Sequence, residues 1–348
     1  MLRSTFAVSA LVLASLVVGC SGADGEPLEA DESELQSNAT APMARFSPHL
    51  KSLRSALGSK TAEAAANSLV QSGRMTAFSL QALCRLYSDA DPKFGEMRSD
   101  FKGLEDGIGA YDKWKTIYDA AVEEKSDPET LARLKKDRDE ALATFTKLLT
   151  DKGWIKVGSG PSRLDTIETF LKNYKWLSRD GDRDLVFESI ADELKGIKKT
   201  TYDMTILEEG DGLHQLRRDI RWVLMESMVV NGLIVYKDDS VKCPLPAYEK
   251  LLSAPIATSK YTAFKGSSVE PNPCQLDKCV VLAAAQAVED LGQLKDQAER
   301  EVNIKNGADI VPEQLQPRAK AIYDDLVKNN VAGALKDQID ACQATLKP

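Results

Sequence analysis

The 348-residue chain has two histidines, His49 and His214, and aromatic residues make up 6% of it. Histidines so few and so far apart cannot supply a His-Glu-x-x-His zinc site, and neither a Gly-rich phosphate loop nor a Gly-x-Ser-x-Gly elbow occurs. These absences remove the common metal-, nucleotide- and serine-dependent enzyme classes. The 53 acidic residues make carboxylate pairs too frequent to mark a reaction centre. The reading is therefore non-catalytic, with no cofactor and no metal. Alternating apolar and polar positions are scarce, the best short strand candidate being "GLIVYKDDSV". A net charge of −8 opposes nucleic acid as a partner for the whole molecule and leaves room only for a local basic patch.

The only long apolar run is at the start. Arg3 precedes Phe6 to Val18, which is shorter than the about 20 residues a membrane-spanning helix needs and reads as a secretory signal. It ends in "VVGC", which resembles the lipobox of bacterial lipoproteins. The resemblance implies cleavage before Cys20, acylation of Cys20 and a membrane attachment through that lipid. Ser21, rather than Asp, in the next position implies the outer membrane of the cell envelope. The following stretch, "SGADGEPLEADESELQSNATAP", holds six acidic residues and few large apolar ones, so residues 21–45 read as a flexible acidic tether.

Residues 46–348 carry helix punctuation. Ser47-Pro48 and Asp127-Pro128 each place a cap before a proline suited to the first helical turn, the second opening a helix that stops at Gly153. Ser162 and Asp165 form a capping-box pattern. "ESIADELKGIKK" sets Ile190, Leu194 and Ile197 on one face, and "PEQLQPRAKAIYDDLVKNN" is expected to be helical with a restart or kink at Pro317. The fold class expected is all-α, an antiparallel helical bundle.

The stretch "DGLHQLRRDIRW" places His214, Arg217, Arg218 and Arg221 on one face of a helix, beside an apolar face of Leu213, Leu216, Ile220, Val223 and Leu224. Two other segments, "LEDGIGAYDKW" and "VEDLGQLKDQA", each put Glu-Asp ahead of an apolar-Gly step, at Gly109 and Gly292, and suggest two related halves. His-x-Leu-Arg followed by Leu-Gly-x-x-basic-Asp resembles the conserved-histidine α-helical domain, CHAD, over about residues 74–300. That resemblance implies binding of inorganic polyphosphate or another polyanion, with His214, Arg217, Arg218 and Arg221 as anion-binding residues. In the first half the motif is expected at "AFSLQALCRLY", where Phe78 and Gln81 stand in its place and only Arg85 is basic. Lys195, Lys198 and Lys199 would extend the patch if their helix packs alongside. The competing reading is a structural or protein-interaction module of the envelope, with His214 beside a carboxylate and the arginines in ordinary ion pairs, for instance to Asp219.

Cys243, Cys274, Cys279 and Cys342 lie in the last third of a chain read as exported and imply up to two disulfides, with three pairings open. Joining Cys243 to either Cys274 or Cys279 would close a proline-rich insertion spanning about 237–279. Cys84, on an apolar helix, reads as a buried thiol. Asp180, Asp182 and Asp184 alternate as at the start of a calcium loop, but Leu185 and Ala191 stand where Gly and Glu are required, so a helix start is the simpler account.

Overall fold

Caps and breakers place most of the helices. The computed structural model describes residues 41–344 other than 59–60, 157, 231, 238–241, 265–271, 305–308 and 329. The segment read as a signal, Cys20 and the stretch read as a tether as far as residue 40 lie outside the described residues. Within them are ten α-helices: α1 (Ala41–Leu57), α2 (Ala62–Leu86), α3 (Pro92–Glu123), α4 (Pro128–Asp151), α5 (Arg163–Asn173), α6 (Arg179–Lys199), α7 (Leu213–Val229), α8 (Lys278–Ile304), α9 (Gln316–Tyr323) and α10 (Val331–Ala344). Two three-residue strands, β1 (Ile234–Tyr236) and β2 (Cys274–Leu276), pair in parallel with Ile234 opposite Cys274. The fold is predominantly helical.

Asp91 and Asp127 accept backbone N–H groups of the first turns of α3 and α4, each followed by proline. Ser162 and Asp165 make both bonds of the capping box on α5. Gly153 lies just beyond α4 with φ +70°, a conformation glycine adopts without steric cost.

Two expected boundaries are corrected. α1 starts at Ala41, inside the segment expected to be tether, and carries Pro48 within it rather than at its start. Arg45 and Phe46 are buried, and Ser47 donates its hydroxyl back to the Met43 carbonyl at 2.9 Å. Burial of this turn offsets the ladder bond that proline removes. Near the C-terminus, Pro317 sits in the first turn of α9, so the preceding "PEQL" is turn and not helix.

α2 is enclosed by α1, α3, α4, α6 and α7. Leu69, Leu80, Leu83 and Cys84 on it are solvent-free, and burial raises the Cys84 thiol pKa well above its ordinary value. Beyond its C-terminal end, Tyr87 joins a buried triad. Arg45 Nη1 lies 2.8 Å from Asp182 Oδ2 and donates to the Tyr87 oxygen at 2.6 Å, while Tyr87 donates to Asp182 Oδ1 at 2.7 Å. A buried charge is tolerable only when paired and hydrogen-bonded, and here each member satisfies the other two. The middle carboxylate of "SRDGDRD" is thus an ion-pair partner for α1. Rings of Phe46, Phe94 and Trp176 wrap the triad.

The disulfides are Cys243–Cys279 and Cys274–Cys342. The first holds the insertion to the start of α8, against which its 3₁₀ turns pack, and the second ties β2 to α10. No described helix is long and apolar enough to cross a membrane.

Candidate anion-binding site

α7 carries the cationic stripe, and its apolar face is buried as the spacing requires: Leu213, Leu216, Ile220, Val223 and Leu224 all pack inward. Gly212 caps α7 without a side-chain bond. Its first backbone donors are instead used by the preceding loop, Leu213 N–H to the Ile206 carbonyl at 2.9 Å and His214 N–H to Leu207 at 3.0 Å. The Asp309 carboxylate fixes that loop by accepting the N–H groups of Glu208 and Glu209. The helix terminus is therefore occupied, and what α7 offers a ligand is its side chains.

Arg217 lies flat against Gly292 of α8. Its Nε donates to the Val288 carbonyl at 3.2 Å, and a Cβ at position 292 would stand 2.9 Å from that nitrogen. The same relation recurs between α2 and α3, where a Cβ at Gly109 would stand 3.2 Å from an Arg74 terminal nitrogen and Arg74 Nε donates to Glu105 at 3.1 Å. Gly109 and Gly292, the paired glycines of the two similar segments, thus make room for guanidinium groups. Arg74, seven positions earlier than Gln81, thus stands to Gly109 as Arg217 stands to Gly292. Gln81 is buried with Nε2 unpartnered.

α2 and α7 are joined by a ladder of alternating cations and rings. The Arg74 guanidinium lies 6.0 Å from the Phe78 ring, Arg221 lies 4.8 Å from Phe78 and 5.5 Å from Trp222, and Arg85 lies 4.9 Å from Trp222. Its ends are neutralised, Arg74 by Glu105 and Arg85 by Glu226 at 2.7 Å and by Glu193. Its middle is not. Among the described residues no carboxylate comes within ion-pair distance of Arg217, Arg218 or Arg221, all three half-buried, and Arg221 Nε is buried without a partner. Asp219, the expected partner, instead accepts the Tyr202 hydroxyl at 2.8 Å and the Gln215 amide at 2.6 Å.

Burial pushes the Arg221 pKa down to about 10; the charges of Arg217 and Arg218 add to the fall, and Tyr261 and Glu105 oppose it. His214 falls to about 4, first through burial and then through the charges of Lys295, Arg217, Arg218 and Arg221. At neutral pH it is an uncharged member of the stripe, with Nδ1 buried and unpartnered and Nε2 3.9 Å from Glu208. Glu208 also pairs with Lys295 at 3.0 Å. The like charges of Arg217, Arg218 and Arg221 raise the local positive potential, which a bound anion would lower.

Sequence patterning missed three contributors. Phe78 and Trp222 lack any local signature of cation contact, and Glu105 acts from α3. Arg98 is half-buried without a carboxylate within ion-pair distance among the described residues and lies with Arg85 on a cavity of about 470 Å³ that Asp89, Glu188, Asp192 and Glu193 also line. Burial lowers its pKa, as do the charges of Arg85 and Arg218. The lysines of α6 do not join the stripe as a group: Lys195 turns to Asp192 at 3.2 Å, and Lys198 and Lys199 are exposed.

Comparison with protein families, curated proteins and solved structures finds no match.

Proposed function

We propose that the chain is a lipid-anchored protein of the bacterial cell envelope whose helical domain binds a polyanion such as inorganic polyphosphate through Arg217, Arg218 and Arg221, with His214 at the edge. The observation that carries the reading is the set of three half-buried arginines on one face of α7 with no carboxylate within ion-pair distance among the described residues. Guanidinium groups make paired, charge-assisted bonds to phosphate oxygens, and the rings of Phe78 and Trp222 lie against Arg221 and hold it in place. The doubled placement of an arginine over a glycine, Arg74 on Gly109 and Arg217 on Gly292, supports two related halves in a CHAD-like bundle. The "VVGC" segment and the acidic stretch after Cys20 support the anchor and tether, with the outer membrane as the site of attachment.

The test is equilibrium binding of long-chain polyphosphate to the full chain in non-ionic detergent, from low salt upward. Affinity is expected to fall linearly with the logarithm of salt, and Arg217→Ala/Arg221→Ala to lower that slope by roughly one for each arginine. No binding at low salt, or binding unchanged in the double variant, refutes the site and leaves the interaction module. Mass spectrometry of the mature N-terminus tests the anchor independently, an unmodified Cys20 being the refuting result.

A further inference from the structure

The two arginine-over-glycine arrangements differ at one position, and the difference is a charge. Four residues before Gly292 stands Val288, whose main-chain carbonyl takes the Nε of Arg217 at 3.2 Å and leaves the rest of the guanidinium unpaired among the described residues. Four residues before Gly109 stands Glu105, whose carboxylate takes the Nε of Arg74 at 3.1 Å. Glu105 is buried, and its negative charge reaches Arg221 across the α2–α7 contact, where it favours the charged form. An anion thus already sits, covalently attached, where the first half would meet a ligand.

We propose that Glu105 is a built-in substitute for ligand that closes the α2–α3 half of the site and confines an incoming anion to Arg217, Arg218 and Arg221. The ligand class is accordingly a short polyanion of a few phosphate groups. A long chain would have to pass Glu105 to use Arg74, and the like charges repel. The three open guanidiniums lie within about 6 Å of helix rise, a span that suits a short ligand. This inference rests on the anion-binding reading, and the experiment separates the two.

The experiment is calorimetric titration of the full chain in non-ionic detergent with sodium tripolyphosphate and with long-chain polyphosphate, the latter counted per triphosphate unit. Wild type, Glu105→Gln and Glu105→Gln/Arg74→Ala are compared across salt. Wild type is expected to bind both probes within about threefold of each other. Glu105→Gln is expected to gain no more than about threefold for tripolyphosphate, through the negative charge that Arg221 no longer feels, but about tenfold for the long chain, and to steepen the salt slope for the long chain by about one, as one added phosphate contact would. Removing Arg74 as well should abolish the long chain's excess gain. Arg74 is 46% exposed, so water can solvate it once its partner is neutral, and unfolding midpoints check that each variant is folded. Wild type preferring the long chain tenfold, or Glu105→Gln matching wild type on both probes, overturns the role of Glu105 while leaving the anion site standing. Binding of neither probe to any of the three proteins overturns both.

Discussion

Arg221 stacks over Phe78 at 4.8 Å, a cation from α7 resting on a ring from α2. The contact joins two helices whose sequence positions are far apart and fixes the guanidinium that has no carboxylate of its own among the described residues. Phe78 had read as the residue standing where a histidine motif was absent. In the folded chain it lies beneath the guanidinium of Arg221.

Phe78→Leu keeps apolar volume and removes the ring. It should cost about 1 kcal/mol of stability through the lost cation–ring contact, read by urea denaturation, and weaken polyphosphate binding about fivefold because Arg221 is no longer held in plane. A stability loss with undiminished binding would show that the ring packs the interface without organising the site.

Gly292→Ala separates folding from binding. Alanine favours the helix by about 1 kcal/mol, and the atom its Cβ would meet is the mobile end of Arg217. Denaturation should therefore report a protein at least as stable as wild type, while anion affinity falls because Arg217 is displaced. Val288 makes this specific, since its carbonyl is the only hydrogen-bond acceptor that Arg217 has among the described residues.

Stability should respond to pH in two opposite directions. Burial and the neighbouring Glu193 raise the pKa of Glu226, so the folded state keeps a proton that the unfolded chain releases. Stability is then lost as pH rises from the ordinary glutamate value toward the raised one, and Glu226→Gln should flatten that slope. His214 behaves the other way. Its folded value of about 4 lies below the ordinary histidine value, so stability is lost as pH falls from about 6.5 toward 4, and His214→Gln should flatten the acid limb. Urea midpoints taken across pH for the three proteins measure both, and parallel curves would contradict the assignment.

Each disulfide closes a loop of 36 or 68 residues, which corresponds to about 4 kcal/mol in the chain-entropy description. Cys274→Ser/Cys342→Ser should loosen α10 from β2 and lower stability by that order, with peptide mapping of the wild type recovering the Cys243–Cys279 and Cys274–Cys342 linkages. Recovery of a Cys243–Cys274 linkage would contradict the fold at the base of α8.

The local signals in the chain were legible because their physics is local. Asp127 before Pro128, the Ser162–Asp165 pair and the burial of Ile190, Leu194 and Ile197 follow from spacing alone. The stripe on α7 was legible for the same reason. What was not legible depends on partners remote in sequence. The Arg45–Tyr87–Asp182 triad joins residues 42 and 95 positions apart, and it is why α1 begins before Pro48 and not after it. Disulfide pairing was open among three arrangements until β2 and α10 were placed side by side. The likeness of Arg74 on Gly109 to Arg217 on Gly292 was hidden because "QSGR" has no histidine to mark it, and only the packing shows it. Whether an arginine is paired or free is likewise a tertiary fact: Asp219 adjoins Arg218 in sequence yet serves Tyr202 and Gln215.

The central claim is that phosphate oxygens engage the open guanidiniums of α7. Nuclear magnetic resonance of the arginine Nε–Hε groups during titration with tripolyphosphate tests it most directly, with Arg45, sealed in its buried ion pair, as the internal reference. The account predicts saturable shifts for Arg217, Arg218 and Arg221 with a common affinity and none for Arg45. Shifts spread evenly over exposed arginines such as Arg133, or no shift on α7, would contradict it.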